Sequence, residues 1–382
     1  MTGAIEANSS TAHDPGKYLG HDLIFVISQP RSGSTLLQRL LSGHSWIQTS
    51  AETWLMLHPA YGLRRKGIKT DYRAGWAVRA VEEFLVHYAD GRETWLNAVR
   101  AYARTVYGEV LARNDRRRFL DKTPRYSMIV PELREIFPEA RFIVLLRNPL
   151  AVLSSELRTY IKGDWPLLAD FAPDLLEAPA RLLAAREVLG DRMCELHYEN
   201  LVKEPAEELQ RLCHHLGLPW ESGLEDYSDT PAPRGRFNDP VGVHRHQRPS
   251  LDSLETWREL GRSAQTRSVA LAYLDAIGNE TVSEMGYDPA ALRAGIEAET
   301  VSSGSRRVFP WRTAIRPYAS WSLRDFAAAS WYFAAEEHGP FFGFFVAARM
   351  LLWHGVGGLA RQLGRPIKGP GRPRAKSDRD GD

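Results

Sequence analysis

The chain has 382 residues, enough for one large domain with an appendage or for two domains. Its 43% apolar and 25% charged residues are those of an ordinary globular protein, and a formal net charge of +2 excludes a chain-wide field for nucleic acid. Two cysteines, Cys194 and Cys213, exclude a disulfide scaffold or a four-cysteine zinc site and point to a reducing compartment. Residues 1–20 are polar, carry Asp14 and Lys17, and lack the apolar core of a signal peptide. They read as a flexible leader, and the cytoplasm is the expected place.

Leu23–Ser28 is a short apolar run rich in β-branched residues that stops before Pro30, as a buried parallel strand does. Residues 35–41 read as a helix closed by Ser42-Gly43. Residues 54–115 are mostly helical in pattern, aromatic and basic (Arg64, Arg65, Lys66, Lys69, Arg73, Arg79), and form an insertion in the strand alternation. Further strands are expected at 118–120, at Arg141–Leu146, which runs into the turn Asn148-Pro149 and a helix, and at 193–198. Strands alternating with helices specify an α/β fold, a P-loop-type parallel sheet flanked by helices, over residues 21–300. After Ser302-Ser303-Gly304-Ser305 an aromatic-rich helical appendage extends to residue 363, followed by a disordered basic tail, 364–382. Residues 341–360 are the most apolar stretch, but Arg349, His354 and four glycines weaken a spanning helix. A helix packed on the domain is the expectation there; peripheral membrane contact through 321–363, with a membrane-associated location, is the alternative.

A strand, a small-residue loop and a helix make an anion site, because the first N–H groups of a helix lack intrahelical partners and its dipole favours negative charge. In Pro30-Arg31-Ser32-Gly33-Ser34-Thr35, Gly33 permits close backbone approach, Ser32, Ser34 and Thr35 add hydroxyls, and Arg31 adds a forked positive charge. A nucleoside-triphosphate loop needs G-x-x-x-x-G-K-[ST]; here Ser28 stands in the first glycine's place and Ser34 in the lysine's. By itself the loop also fits an ordinary serine-rich turn before a helix.

Gln29 to Leu37 resembles the 5′-phosphosulfate loop of the PAPS-dependent sulfotransferase superfamily. Arg147-Asn148-Pro149, with Ser155 eight residues after Arg147, resembles that family's 3′-phosphate motif of a strand-end arginine and a serine in the following helix. Asp121-Lys122-Thr123-Pro124 resembles the D-K-x-P element of the tyrosylprotein-sulfotransferase-like branch. Tyr198-Glu199-Asn200-Leu201-Val202, Pro205, Leu216-Gly217-Leu218-Pro219-Trp220, and then Arg248-Pro249-Ser250-Leu251 with Trp257 resemble later motifs of the superfamily. The likeness spans about residues 22–287.

The resemblance implies a co-substrate, 3′-phosphoadenosine 5′-phosphosulfate, no metal, and in-line transfer to a hydroxyl of a small molecule, sugar, lipid or peptide tyrosine. It places the base at Glu52, with His44 and His58 as rivals, and the charge stabilisers at Arg31 and Lys122. Donor binding falls to Arg31, Ser32, Gly33, Ser34, Thr35, Arg147 and Ser155. Tyr198 either contacts the nucleotide or is structural, and Arg248 is a second 3′-phosphate contact, with Gln247 standing where the family carries lysine. Thr159, beside Arg158, stands where the branch carries arginine. Two other readings remain open at this point: a metal-dependent P-loop kinase or nucleotidase, and a nucleotide-binding protein without turnover.

Overall fold

The computed structural model describes residues 18–62, 64, 70, 72–163, 165–228, 230 and 247–301. The expected linker, appendage and tail, the apolar stretch 341–360 and nearly all of the leader lie outside the described residues. Contacts divide the chain into two units, Met1–Gly163 with Pro173–Arg306, and Asp164–Ala172 with Arg307–Asp382. Of the second unit, the structure describes the short 3-10 stretch Trp165–Phe171. All that follows concerns the first.

Five strands, β1 (Leu23–Ser28), β2 (Ile47–Thr49), β3 (Arg118–Lys122), β4 (Arg141–Leu146) and β5 (Met193–His197), form one parallel sheet in the order β2-β3-β1-β4-β5. Every pairing is parallel, with Val26 opposite Lys122, Ser28 opposite Leu145, Thr49 opposite Leu120 and Leu146 opposite His197. The helices between them are α1 (Ser34–Ser42), α2 (Leu57–Tyr61), α3 (Ala74–Tyr88), α4 (Arg92–Asn114), α5 (Val130–Ile136), α6 (Pro149–Glu156) and α7 (Ala178–Leu189). After β5 follow α8 (Tyr198–Lys203), α9 (Pro205–Leu216), α10 (Ala264–Ile277), α11 (Asn279–Glu284) and α12 (Pro289–Glu297).

Alternation along the strands divides the core into two layers. Leu23, Phe25, Ile27, Phe142, Val144 and Leu146 pack with Leu96, Tyr107, Leu133, Ile136 and Leu182 from α4, α5 and α7. Ile24, Val26, Ile143 and Leu145 pack with Leu37, Leu40, Leu41, Leu209 and Leu212 from α1 and α9. Both faces are dry, which is why the strands read as continuous apolar runs.

The α/β class and the strands at β1 and β4 stand where the sequence placed them. Three details differ. The three-residue β2 has no pattern of its own and is held by its pairing with β3. The strand expected at 193–198 ends at His197, and Tyr198 opens α8. Ser155, read from the sequence as a serine in the helix after β4, lies in the last turn of α6, because a π turn over Leu157–Ile161 follows at once.

Phe25 is fully buried, stacked on Phe137 and Phe142 with ring centroids 5.7 and 5.5 Å away. Phe25→Ala should destabilise the fold by about 3–5 kcal/mol, the usual cost of emptying an aromatic core site. The midpoint of guanidinium unfolding, followed by circular dichroism, checks it.

Candidate active site

A parallel sheet brings all its strand C-termini to one edge, and that edge is where ligands bind in open α/β folds. The chain winds from β1 out to β2 and β3 and returns to the other side for β4 and β5, so the loop after β1 sits at the reversal of strand order. Read along the edge, the residues that follow the strands are Glu52 after β2, Lys122 at the end of β3, Arg31 after β1, Arg147 after β4 and Tyr198 after β5.

At β1 the backbone curls. Arg31 has φ 63° and Gly33 φ 92°, both left-handed, and the first bond of α1 runs from Leu37 N–H to Gly33 O at 3.1 Å. The loop is braced from below by the buried Ser32 hydroxyl, which donates to Gln29 O at 2.7 Å. Gln29 in turn donates to Asp174 O at 2.9 Å, pinning the Pro173–Glu177 turn against the loop. The left-handed Arg31 costs about 1–2 kcal/mol relative to a glycine. The Arg31 Nε donates to Ser155 Oγ at 3.0 Å.

At β4, Arg147 is 7% exposed, and its Nη1 donates to Arg31 O at 2.9 Å. Its guanidinium lies 4.0 Å from the centroid of the Tyr198 ring. The Tyr198 ring also rests on Gly33: a Cβ there would come within 2.3 Å of it. Only glycine fits both the backbone angle and the ring. The Tyr198 hydroxyl is 2.7 Å from Ser253 Oγ. Burial pulls the Arg147 pKa down, while Tyr198 and Glu199 push it back up. Its Nε has no hydrogen-bond partner among the described residues.

The turn that carries Arg147 is fixed twice. Asn148 caps α6 by accepting from Leu150 N at 2.9 Å, and Glu199 accepts from Asn148 N at 3.0 Å and from the Tyr287 hydroxyl at 2.7 Å. Glu199 stood in the sequence only as part of a motif; its task of setting the arginine turn is visible only in three dimensions.

At β3, neighbouring residues serve opposite faces. Lys122, 1% exposed, donates to Glu52 Oε1 at 3.2 Å, while Glu52 Oε2 accepts from Trp54 Nε1 at 3.2 Å. Asp121 accepts from four hydroxyls, those of Thr53 (2.6 Å), Tyr107 (2.7 Å), Tyr126 (3.0 Å) and Thr123 (3.0 Å). Burial pushes the Asp121 carboxyl above the usual carboxylate range, and these donors pull it back. The 52–54 loop is therefore held through Thr53 by Asp121 and through Glu52 by Lys122. A fixed carboxylate beside an ammonium, a cationic loop and a dehydrated guanidinium along one edge can accept a proton and bind two anionic groups.

The model of the Sulfotransferase family matches residues 22–222, more than half of the chain. The chain belongs to the sulfotransferase family. It is 30% identical over 323 residues to Nodulation protein NoeE of Sinorhizobium fredii, covering 75% of this chain and 72% of that one. It is 24% identical over 218 residues to Protein-tyrosine sulfotransferase A of Caenorhabditis elegans, covering 56% of this chain and 54% of that one. Among solved structures it is similar to the sulfotransferase domain of the Synechococcus PCC 7002 olefin synthase, with 23% identity, a TM-score of 0.47, and 70% and 94% coverage of the two chains.

Within this sulfotransferase one of the rival histidines, His44, stands between α1 and the start of β2 rather than after a strand end. His44 lies past the far end of α1, fully buried, with Nε2 2.9 Å from Pro219 O and Nδ1 accepting from Trp46 N at 3.0 Å. His58 is exposed on α2. Arg248 is exposed and paired with Asp226 at 3.0 Å, and its carbonyl accepts from the Tyr227 hydroxyl at 3.1 Å. The described contacts do not join Arg248 to Arg147. Gln247 gives its carbonyl to Tyr227 N at 3.0 Å. No group of three or more His, Cys, Asp or Glu among the described residues is arranged to hold a metal ion. No helix among them is long and apolar enough to cross a membrane.

Gly33→Ala should destabilise the sulfotransferase by more than the about 1–2 kcal/mol of left-handed backbone, since the new methyl displaces the Tyr198 ring. The double variant Gly33→Ala with Tyr198→Ala should cost less than the sum of the two single changes. Urea unfolding of the four proteins measures that coupling.

Proposed function

We propose that this chain transfers a sulfuryl group from 3′-phosphoadenosine 5′-phosphosulfate to an acceptor hydroxyl, with Glu52 as the base. The observation that carries the reading is Arg147, a dehydrated guanidinium whose Nε–H has no partner among the described residues, bonded directly to the backbone of the phosphate loop. Such a group calls for an anion. Two anion-seeking places on neighbouring strands suit a nucleotide with phosphates at both ends. The 3′-phosphate falls to Arg147 and Ser155, whose hydroxyl accepts from Arg31 and keeps its own proton to donate. The 5′ end falls to the Arg31–Thr35 loop and the start of α1.

The donor supplies a sulfuryl group on a phosphate leaving group; the rest is the protein's. Backbone N–H groups at the head of α1, with Arg31, receive the charge that develops on the leaving phosphate. Lys122 has three donors and Glu52 uses one of them, so the ammonium can also face the charge on the transferring group. Glu52, its two oxygens held by Lys122 and Trp54, takes the acceptor's proton from a fixed direction. Because Glu52 follows β2 and the 3′-phosphate site follows β4, the acceptor enters from the β2–β3 side of the edge. Its class remains any hydroxyl bearer: a small molecule, a sugar, a lipid or a peptide tyrosine.

Glu52→Gln should lower turnover by about 10²–10⁴-fold, the usual worth of a general base. Its affinity for adenosine 3′,5′-bisphosphate, measured by calorimetry, should stay within a few-fold of the parent's; a fully active variant would move the base elsewhere. Arg147→Ala should weaken the same binding by roughly 10–100-fold, the loss of charged hydrogen bonds, with an unchanged circular dichroism spectrum. Transfer of label from radioactive donor should persist in excess chelator, which separates this reading from a metal-dependent kinase or nucleotidase.

A further inference from the structure

One buried ionisable side chain beside the edge has no task in the chemistry above. Glu156 closes α6, next to Ser155, and is 0% exposed. Neither of its carboxyl oxygens meets a hydrogen-bond partner among the described residues. A carboxylate taken out of water without a partner is strongly disfavoured, so such a group keeps its proton. The charges that act on it come from three other segments: Arg31 of the phosphate loop, Asp174 of the Pro173–Glu177 turn, and Arg125 of the 3-10 turn after β3. Asp174 and Arg125 are themselves paired at 2.7 Å. From α10, Tyr273 also feels it. The Thr256–Arg262 turn packs on α6 as well, and its charges lie in exposed pairs, Arg258 with Glu255 and Arg262 with Glu259 and Glu299.

We infer that Glu156 is a positioning residue for the donor loop: as a neutral acid it does not compete for Arg31, and as a carboxylate it draws the guanidinium away from the donor's 5′ end. This rests on the reading that the donor's 5′ end binds at Arg31. Arg31 is the first charge that would answer an ionised Glu156, and it is held through Ser155, the residue beside Glu156 on the same helix. Burial pushes the Glu156 carboxyl up to about 8, against the pull of Arg31 and with a further push from Asp174. An anion arriving at Arg31 weakens that pull, so donor binding and the Glu156 proton favour each other. Affinity is full below about pH 8 and falls above it, and binding near pH 8 takes up part of a proton. The same carboxyl affects the fold. Its folded-state pKa is raised, so its proton stabilises the native state at acid pH, and this contribution is lost as pH rises through about 8.

Calorimetric titration with adenosine 3′,5′-bisphosphate at pH 7 and pH 9, in two buffers of different ionisation enthalpy, tests the inference. The parent chain should bind about tenfold more weakly at pH 9 than at pH 7, as follows for a group titrating one unit below the higher pH. It should take up a proton near pH 8. Glu156→Gln, and Glu156→Met as a second neutral replacement, should lack both the extra pH dependence and the uptake. A parent chain that takes up no proton near pH 8, or variants that match the parent's pH profile, would overturn the role of Glu156 and leave the donor reading standing. A parent chain that binds the nucleotide at neither pH would overturn both.

Discussion

All five strands of the sheet point the same way, so every strand ends at one edge, and each end supplies a polar group there. The spacing of parallel strands, about 4.8 Å, then sets the spacing of the site. The carboxylate that follows β2 and the guanidinium that follows β4 are held three strands apart, with the cationic loop and Lys122 between them. Lys122, the one of these groups inside a strand, could not be moved by a residue without turning its side chain to the other face. Register sets the levels along the edge: Lys122 stands opposite Val26, level with Ile143, while Ser28 opposite Leu145 places the loop after β1 beside the Arg147 turn.

That edge carries a load of buried polar groups that a protein built only for stability would avoid. Lys122, Arg147, Asp121 and Glu156 are all nearly or wholly without solvent contact. Two of them are compensated from within, Lys122 by Glu52 and Asp121 by its four hydroxyls. The other two are left short of partners among the described residues, Arg147 at Nε and Glu156 at both oxygens. Burial without a partner carries a desolvation cost at both. The left-handed Arg31 adds backbone strain in the same place.

The helical insertion takes part in this arrangement more closely than its position in the chain suggests. Tyr107 on α4 and Tyr126 after β3 reach Asp121 together with Thr53, so the loop bearing Glu52 is tied to the sheet and to a helix layer at one carboxylate. Asp121 and Lys122 are adjacent in sequence and opposite in direction, which is the ordinary alternation of a strand. One anchors the loop from beneath through Thr53 while the other contacts its Glu52 side chain. The D-K pair works as a unit because of the pleat.

The amino-acid sequence alone determined the apolar strands β1 and β4 and the small-residue loop between β1 and α1. Apolar runs at β1 and β4 suit buried strands, and a strand followed by Arg31-Ser32-Gly33-Ser34-Thr35 and a helix suits an anion site as well as an ordinary serine-rich turn, since both facts are local. Arg147 and Lys122 were legible as strand-end residues of short motifs, Ser155 through its spacing from Arg147, and Glu52 only through the family resemblance. Long-range contacts were not. The three-residue β2 exists only through β3. The ring of Tyr198 comes to Gly33 across the sheet, Glu199 meets the Asn148 turn from the next strand, and Arg248 is drawn to Asp226. Glu156 has no sequence signal at all, because a glutamate in a helix is solvated by default. Only the packing of α6 against the Thr256–Arg262 turn and α10 takes it out of water, and desolvation belongs to the assembled fold rather than to any segment of it.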